Sequence, residues 1–265
     1  MQIAFIGGGN MGRALAAAVI RQGVSKPSEV LVVEPVEVAR DAVGQLGCTV
    51  AEVPDERVTK AAIVLLAVKP QQAREAMAEL KPFLANNQVI VSIMAGVKLS
   101  ALQEGLGHET LVRVMPNTPA QVGLGMNVYH AAPDVTPRQL EAVETVLKAS
   151  GEVLAVPSED AIDAATAVSG SGPAYVFYLA EHWMAAAIKL GFTEPEAAQL
   201  VQQTLIGATA LWRSANVPPA TLREQVTSKG GTTAAALEEF NGKGVGDAVQ
   251  VGIARAYQRA KELGR

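Results

Sequence analysis

The stretch IAFIGGGNMG at residues 3–12 decides the fold class of this chain. A short apolar run leads into the pattern G-x-G-x-x-G, and a run of helix formers follows it directly. In a strand–turn–helix unit of this kind, Gly7 permits the tight turn, Gly9 leaves room for a pyrophosphate, and Gly12 lets the helix pack on the strand. Because N–H groups at a helix start attract anions, we predict a dinucleotide site here. Its predicted residues are Gly7, Gly9, Asn10, Met11 and Gly12.

Beyond this unit, short apolar runs alternate with helix-forming segments. The predicted strands are 2–6, 30–34, 63–68, 88–96, 111–117, 125–131 and 152–156. The predicted helices are 11–23, one that ends near Leu46, 71–80, and 136–150 with Thr136 as N-cap and Pro137 at its first position. Apolar strands alternating with helices are typical of a parallel sheet covered on both faces. We therefore expect an α/β fold whose Rossmann-like doubly wound domain spans residues 1–157, with ligands at the carboxyl ends of the strands.

Further candidate cofactor residues follow the predicted strands. Glu34 ends the second strand, where a carboxylate accepts hydrogen bonds from the adenosine ribose and repels a 2′-phosphate, which favours NAD. Arg40 lies six residues on and could swing in toward such a phosphate, but it is expected to be a solvated helix residue. Pro70 restricts Lys69 to an extended backbone. For Asn117, a cofactor contact and a simple turn cap are equally supported. The predicted contacts in these later loops are Val68, Lys69 and Pro70, then Ala95 and Gly96, then Asn117.

The strand pattern stops after about residue 158, and the rest of the chain reads as helices. These are a helix interrupted by SGSGP, a long helix over 174–190, one capped by Thr193 that runs to about 215, and shorter ones over 218–226, 232–240 and 245–264. The helix at 174–190 is apolar almost all round, so it must be buried on every side. A domain of roughly a hundred residues cannot easily do this alone. We therefore predict an all-helical dimerisation domain over 158–265, with the central helix of a monomeric bundle as the alternative.

A second glycine segment lies in this helical half. The sequence TSKGGTT at 227–233 precedes the helix former run AAALEEF. Two adjacent glycines among hydroxyl side chains at a helix start are typical of an anion site. A simple helix cap explains the same residues, and the residues by themselves favour neither interpretation.

The composition excludes several classes of protein. The chain is 49% hydrophobic and 18% charged with a net charge of −4, so neither nucleic acid nor a membrane surface is an expected partner. One cysteine, Cys48, excludes an intramolecular disulfide and fits a reducing cytoplasm. His108, His130 and His182 lack metal-ligand spacing, and no metal is expected. The apolar run 61–68 is too short to cross a bilayer, and no signal peptide is expected before the strand that begins near residue 3.

Four segments together resemble the pyrroline-5-carboxylate reductase family. They are AVKP at 67–70, RVMPNTPA at 113–120, SGSGPAY at 169–175 and TSKGGTTAAALEEF at 227–240, and the last looks like the family's signature. The resemblance spans the whole chain. It implies reduction of the cyclic imine 1-pyrroline-5-carboxylate to L-proline by hydride transfer from NADPH or NADH, the last step of proline biosynthesis. It also implies a homodimer, or a multiple of dimers, formed through the C-terminal helices.

The resemblance assigns roles to the second glycine segment. Ser228 and the backbone N–H groups of Gly231, Thr232 and Thr233 would hold the substrate carboxylate. Thr233 would also reach the ring nitrogen, which makes it the catalytic candidate. Glu159 and Gln225 align near the family's site, as substrate-binding and cofactor-binding residues respectively. Lys229 stands where relatives often carry proline. Many relatives use NADPH whereas Glu34 favours NADH, and the family tolerates both, so the choice of cofactor stays open.

Two other functions fit parts of the sequence. A β-hydroxyacid dehydrogenase shares the two-domain plan but carries a lysine and an asparagine on the long helix after Gly-x-Gly. Here Val176 stands at the lysine position, with Leu179 and Ala180 where the asparagine would lie, which counts against that class. A non-catalytic dinucleotide-binding regulator would keep the first glycine loop and the dimer helices. It would not need the second anion site at 227–233.

Overall fold

The computed structural model describes residues 1–264 of the chain, which divides into two compact units. The first unit consists of Met1–Pro173 together with the described residues from Ala256 onward, and the second unit is Ala174–Arg255. The predicted boundary between residues 157 and 158 follows the end of the strand pattern. The boundary between the two compact units lies further along the chain, after Pro173.

An eight-stranded sheet forms the centre of the first unit. Its strands are β1 (Ile3–Ile6), β2 (Val30–Val33), β3 (Thr49–Ala51), β4 (Ile63–Leu66), β5 (Val89–Ser92), β6 (Leu111–Met115), β7 (Gly125–Ala131) and β8 (Gly151–Ala155). They lie in the order β3-β2-β1-β4-β5-β6-β7-β8, and the first six strands in the chain pair in parallel. The chain progresses in opposite directions on the two sides of β1, which is the switch point at which doubly wound sheets bind ligands. The predicted fold class is confirmed.

One strand pair departs from the predicted parallel sheet. β6 and β7 are antiparallel, with Arg113 opposite His130. β6 ends at Met115 and β7 begins at Gly125, so the connection is too short for the crossover of a dozen or more residues that parallel strands need. Parallel pairing returns between β7 and β8, which a helix connects.

Helices cover both faces of this sheet. They are α1 (Asn10–Arg21), α2 (Glu37–Gly44), α3 (Ala73–Leu80), α4 (Leu99–Leu106), α5 (Pro137–Lys148) and α6 (Glu159–Ala165). Alternate residues of β1 belong to different cores: Phe5 packs in the cluster that contains Leu15 of α1, and Ile6 in the one that contains Leu80 of α3. Thr136 caps α5 in a reciprocal pair with Gln139, as the predicted N-cap requires.

The predicted interruption at SGSGP is a widened helical turn. Residues Thr166–Gly170 form a π-helix after α6, and the Ser171 N–H donates to the Thr166 carbonyl at 2.8 Å. A side chain at Gly170 would meet the Met115 side chain, with its Cβ 2.9 Å from the methyl carbon. Since α6 packs on β6 and β7, residues 158–173 belong to the unit that contains the sheet.

The second unit contains helices alone among its described elements. They are α7 (Gly172–Lys189) and α11 (Val245–Leu263), whose ends reach into the first unit, and α8 (Glu194–Ala215), α9 (Pro219–Gln225) and α10 (Thr232–Gly242). Thr193 caps α8 in a reciprocal pair with Glu196. No helix within residues 1–264 has the length and apolar character needed to cross a membrane.

Large apolar side chains remain exposed on the two longest helices of the second unit. They include Val176, Phe177, Tyr178, Leu179, Trp183 and Ile188 on α7, and Leu200, Ile206, Leu211 and Trp212 on α8. Phe177 is 66% exposed and Tyr178 is 65% exposed. The alternative of a central helix in a monomeric bundle is therefore wrong, because a single chain does not bury α7.

Candidate functional site

The glycine turn after β1 has the geometry that its sequence predicts. Gly7 has φ +109, and a Cβ there would lie 2.7 Å from the Ala67 carbonyl oxygen of the neighbouring loop. A Cβ at Gly12 would collide with the Gly7 carbonyl, so α1 packs directly on the turn. Nothing lies within 4 Å of the Cβ position of Gly9, the N-cap of α1, and no side chain caps the helix there. The first N–H groups of α1 therefore remain available to an anion.

A cleft of about 520 Å³ lies at the carboxyl ends of β1, β2 and β4. It brings together five of the predicted cofactor residues: Gly7, Gly9, Glu34, Val68 and Lys69. The predicted residues Asn10, Met11 and Gly12 continue the turn into α1. The size of the cleft, the open space at Gly9 and the exposed helix start fit the adenosine and phosphate part of a dinucleotide.

Three carboxylates in this cleft were not predicted as site residues. Glu52 follows β3, and Glu75 and Glu79 lie on α3. Glu52 was missed because β3 has only three residues and no clear apolar run in the sequence. Helix α3 was predicted, and its position directly after the Lys69 loop is the signal that would have placed its acidic residues at this edge.

Glu34 is buried at the end of β2 and is held by the backbone. Its Oε2 accepts a hydrogen bond from the Gly8 N–H at 2.7 Å, and its Oε1 accepts one from the Val36 N–H at 3.0 Å. The prediction of a solvated Arg40 is wrong. Arg40 Nη1 donates to the carbonyl oxygens of Glu34 and Pro35 at 2.8 and 2.9 Å, which fixes the guanidinium on the turn after β2.

Of the later loops at this edge of the sheet, the one that contains Lys69 lines the cleft and the turn at Ala95 and Gly96 does not. Lys69 has the predicted extended backbone, with ψ 144. Pro70 begins a short 3-10 helix and does not itself line the cleft. Ala95 and Gly96 follow β5 and do not line the cleft. Gly96 has φ +75, and a Cβ there would lie 2.8 Å from the Leu263 carbonyl oxygen, so this turn packs on the last turn of α11.

Asn117 stabilises the turn between β6 and β7. Its Oδ1 accepts a hydrogen bond from the Met126 N–H at 2.8 Å, and its Nδ2 donates to the Ser169 carbonyl at 3.0 Å. The side chain thus links the turn to β7 and to the π-helix. Of the two interpretations of Asn117, the structure supports the turn cap.

Glu159 is part of a buried ionic cluster. Its Oε1 accepts from the Leu99 N–H at 2.9 Å and from Arg113 Nη1 at 3.2 Å, while Arg113 Nη2 donates to Asp163 at 2.6 Å. Oε1 thus holds the start of α4 and the buried guanidinium, and the substrate-binding role of Glu159 stays a prediction. Arg113 and Asp163 were missed; the available signal was a lone arginine inside the apolar strand LVRVM.

The second glycine segment, in the second unit, is an uncapped helix start. Gly231 is the N-cap of α10, and no side chain caps the helix. The Gly231 N–H donates to the Ser228 carbonyl at 3.0 Å, and its predicted contact with the substrate carboxylate stays a prediction. Thr232 and Thr233 occupy the first turn of α10, where N–H groups have no partner within the helix. Gln225 is exposed at the end of α9, and its cofactor contact stays a prediction.

Comparison with known proteins gives the family. Residues 159–263 match a family model described as pyrroline-5-carboxylate reductase dimerisation, and residues 2–96 match one described as NADP oxidoreductase coenzyme F420-dependent. The chain is 39% identical to the pyrroline-5-carboxylate reductase of Pseudomonas aeruginosa, over 99% of this chain and 96% of that one. It is 38% identical to that of Synechocystis, over 100% and 99% of the two chains.

The chain belongs to the pyrroline-5-carboxylate reductase family. Two solved structures of the family have the same fold. A pyrroline-5-carboxylate reductase from Coxiella burnetii matches with a TM-score of 0.92 and 34% identity, over 100% of this chain and 98% of that one. The Plasmodium falciparum pyrroline carboxylate reductase with NADP bound matches with a TM-score of 0.90 and 28% identity, over the same shares of the two chains. The family predicted from the four sequence segments is confirmed.

Proposed function

We propose that this protein reduces 1-pyrroline-5-carboxylate to L-proline with NADPH or NADH, the last step of proline biosynthesis. The observation that carries the proposal is full-length membership of the family together with two separate uncapped helix starts. One helix start follows a Rossmann glycine turn, and the other follows the family's signature segment. A substrate with a carboxylate and a cofactor with a pyrophosphate require two such anion sites.

The cofactor is held by the first unit. We assign the pyrophosphate to the N–H groups from Gly9 to Gly12 and the adenosine to the cleft that Glu34, Val68 and Lys69 line. Pro70, Ala95 and Gly96 shape the neighbouring loops through backbone turns. When bound, the reduced nicotinamide supplies the hydride.

The substrate carboxylate is assigned to the start of α10. The N–H groups of Thr232 and Thr233 and the hydroxyl of Ser228 are its donors, and the positive end of the helix dipole favours the anion. Gly231 contributes by its size, because a Cβ there would collide with the Ser228 hydroxyl oxygen. Lys229, exposed in the same segment, adds a positive charge.

The chemical step makes modest demands on side chains. A protonated imine is already electrophilic, and hydride addition at its carbon leaves the electron pair of the C=N bond on nitrogen as the amine forms. The protein must chiefly orient the imine and exclude water. We assign to the Thr233 hydroxyl the orientation of the nitrogen and its proton.

The assembly is proposed to be a homodimer, or a multiple of dimers, formed through the C-terminal helices. The exposed apolar side chains of α7 and α8 support this, as does the match of residues 159–263 to the family's dimerisation region. A cytoplasmic location is proposed with it, and the one cysteine of the chain, free and buried, supports it.

The deciding experiment measures the loss of absorbance at 340 nm with purified protein and 1-pyrroline-5-carboxylate, with NADH and NADPH in parallel. We expect turnover that depends on the imine, and formation of proline in equal amount. A protein that binds the dinucleotides but oxidises neither with this imine would contradict the proposal and favour the non-catalytic regulator. Reactions without the imine are the control.

A further inference from the structure

The carboxylate of Glu34 is a fixed acceptor at the edge of the cofactor cleft. It is 8% exposed, and one backbone N–H donates to each of its oxygens, from Gly8 and from Val36. This pattern suits a carboxylate, whose two oxygens only accept and can each accept a further hydrogen bond. Glu34 therefore presents a negative charge and free acceptor capacity at the position where a dinucleotide's adenosine ribose lies in this fold.

Arg40, whose guanidinium lies on the turn after β2, is not positioned to bind a 2′-phosphate. Both carbonyl oxygens that Arg40 Nη1 contacts belong to the turn after β2, and Arg40 Nη2 lies 3.9 Å from Glu52. An arginine that recognises a 2′-phosphate uses its planar donors in a bidentate contact with that group. The turn therefore engages the Nη1 donors of Arg40, and a carboxylate lies beside its Nη2.

The charge balance of the cleft is negative. Four carboxylates line it, and among the described lining residues Lys69 is the one cation. The four are Glu34, Glu52, Glu75 and Glu79. A 2′-phosphate would add about two negative charges to this cleft. A 2′-hydroxyl would instead donate a hydrogen bond to Glu34 without adding charge.

We infer that Glu34 is a specificity-determining residue and that this chain prefers NADH to NADPH, although a relative has NADP bound and the matching cofactor-domain model is described for NADP. The inference rests on the proposed function for the identity of the cofactor as a nicotinamide dinucleotide. Discrimination arises because the 2′-phosphate meets the fixed like charge of Glu34 in a cleft of negative charge, which disfavours NADPH.

The test is a binding titration of the whole protein with NADH and with NADPH, followed by the fluorescence of the nicotinamide and without any imine. The two ligands differ only in the 2′-phosphate. We expect the Kd for NADPH to exceed that for NADH by about tenfold or more at low salt. Equal or tighter binding of NADPH would overturn the inference.

Two variants distinguish the effect of Glu34 on cofactor preference from that of the overall negative charge of the cleft. Glu34→Gln keeps the size of the side chain and removes its charge, and we expect it to reduce the Kd ratio by about tenfold. Glu79→Gln removes a charge on α3, on the other side of β1, and we expect it to change the ratio by less than about threefold. Loosening of the turn by Glu34→Gln would weaken both ligands alike and leave the ratio unchanged. A ratio unchanged by Glu34→Gln, or changed equally by both variants, would refute the role of Glu34.

The binding titration tests the cofactor preference and the enzymatic assay tests the proposed function, and their outcomes can be told apart. Preferential binding of NADH without turnover of 1-pyrroline-5-carboxylate would refute the proposed function and support the cofactor preference. Turnover of the imine with a higher kcat/KM for NADPH than for NADH would refute the preference and support the proposed function.

Discussion

Thr233 is the residue on which the proposed chemistry depends most directly. It lies half-buried in the first turn of α10, and the described residues offer its hydroxyl no hydrogen-bond partner. We expect Thr233→Val to lower kcat by about tenfold or more, because the isosteric side chain keeps the backbone N–H but cannot orient the imine nitrogen. The KM for the imine should change less.

Thr233→Ser is the matched control for that measurement. It keeps the hydroxyl and should retain most of the activity, whereas a general disturbance of α10 would lower the activity of both variants. Full activity of Thr233→Val in steady-state assays would remove Thr233 from the mechanism.

Tyr129 provides a test of stability against pH. Burial and the hydrogen bond to Glu144, at 2.6 Å, raise the pKa of Tyr129 from 10.0 to about 12. A raised pKa means that the stabilisation is complete below pH 10 and is lost as the pH rises toward 12. We expect Tyr129→Phe to cost about 1 kcal/mol of unfolding free energy at pH 8. This cost should shrink between pH 10 and 12 in denaturant titrations; a constant cost would contradict the assignment.

At the scale of elements, the buried cluster of Arg113 connects β6, α4 and α6. The side chain of Arg113 is 2% exposed and that of Asp163 is 7% exposed, so removing one partner leaves a buried charge partly uncompensated. We expect Asp163→Asn to lower the unfolding free energy by about 3 kcal/mol. Urea denaturation of the variant measures this loss.

Glu159→Gln is the comparison variant within the same cluster. The side chain of Glu159 is 26% exposed, and a glutamine oxygen can still accept from Leu99 or Arg113, so the loss should be smaller than for Asp163→Asn. The KM for 1-pyrroline-5-carboxylate should not change in Glu159→Gln. A large rise in KM without loss of stability would instead support the predicted substrate-binding role.

The elements that the sequence predicts correctly are those with a strong local signal. Continuous apolar runs located seven of the eight strands, and proline and threonine signals located the starts of α5 and α8. β3 and α4 were missed because both are short, and α4 begins without a side-chain cap that would mark its start in the sequence. The antiparallel pairing of β7 depends on the length of a connection rather than on the composition of the strand.

The site residues that the sequence predicts are likewise those with a strong local signal. The glycine turn can be predicted from the sequence because each of its glycines meets a local steric requirement within one short segment. Glu52 reaches the cleft from a distant segment, and only the order of the strands brings it there, whereas Glu75 and Glu79 follow from the position of α3 after the Lys69 loop. For Glu159, alignment with a family position does not reveal that Arg113 and Leu99 both donate to one of its oxygens.

At the scale of the whole molecule, the apolar surface of α7 and α8 predicts a stable assembly. We expect the chain to elute as a dimer or a multiple of dimers in size-exclusion chromatography with light scattering. Phe177→Glu should shift it toward the monomer, because a charge at a residue that is 66% exposed in one chain would be buried in the assembly. Glu181→Gln, on the same helix, is the control for a change of charge alone. An unchanged mass for Phe177→Glu would place the interface elsewhere.

The contact between Gly96 and Leu263 has a consequence for the order of events during translation. The turn after β5 leaves the ribosome early, but the carbonyl that packs against it belongs to the last turn of α11. The nascent chain can pair β1 to β5 while this turn still lacks its neighbour. One corner of the nucleotide-binding sheet is therefore completed only when residue 263 has emerged, so a turn that is made early is among the last parts of this unit to be finished.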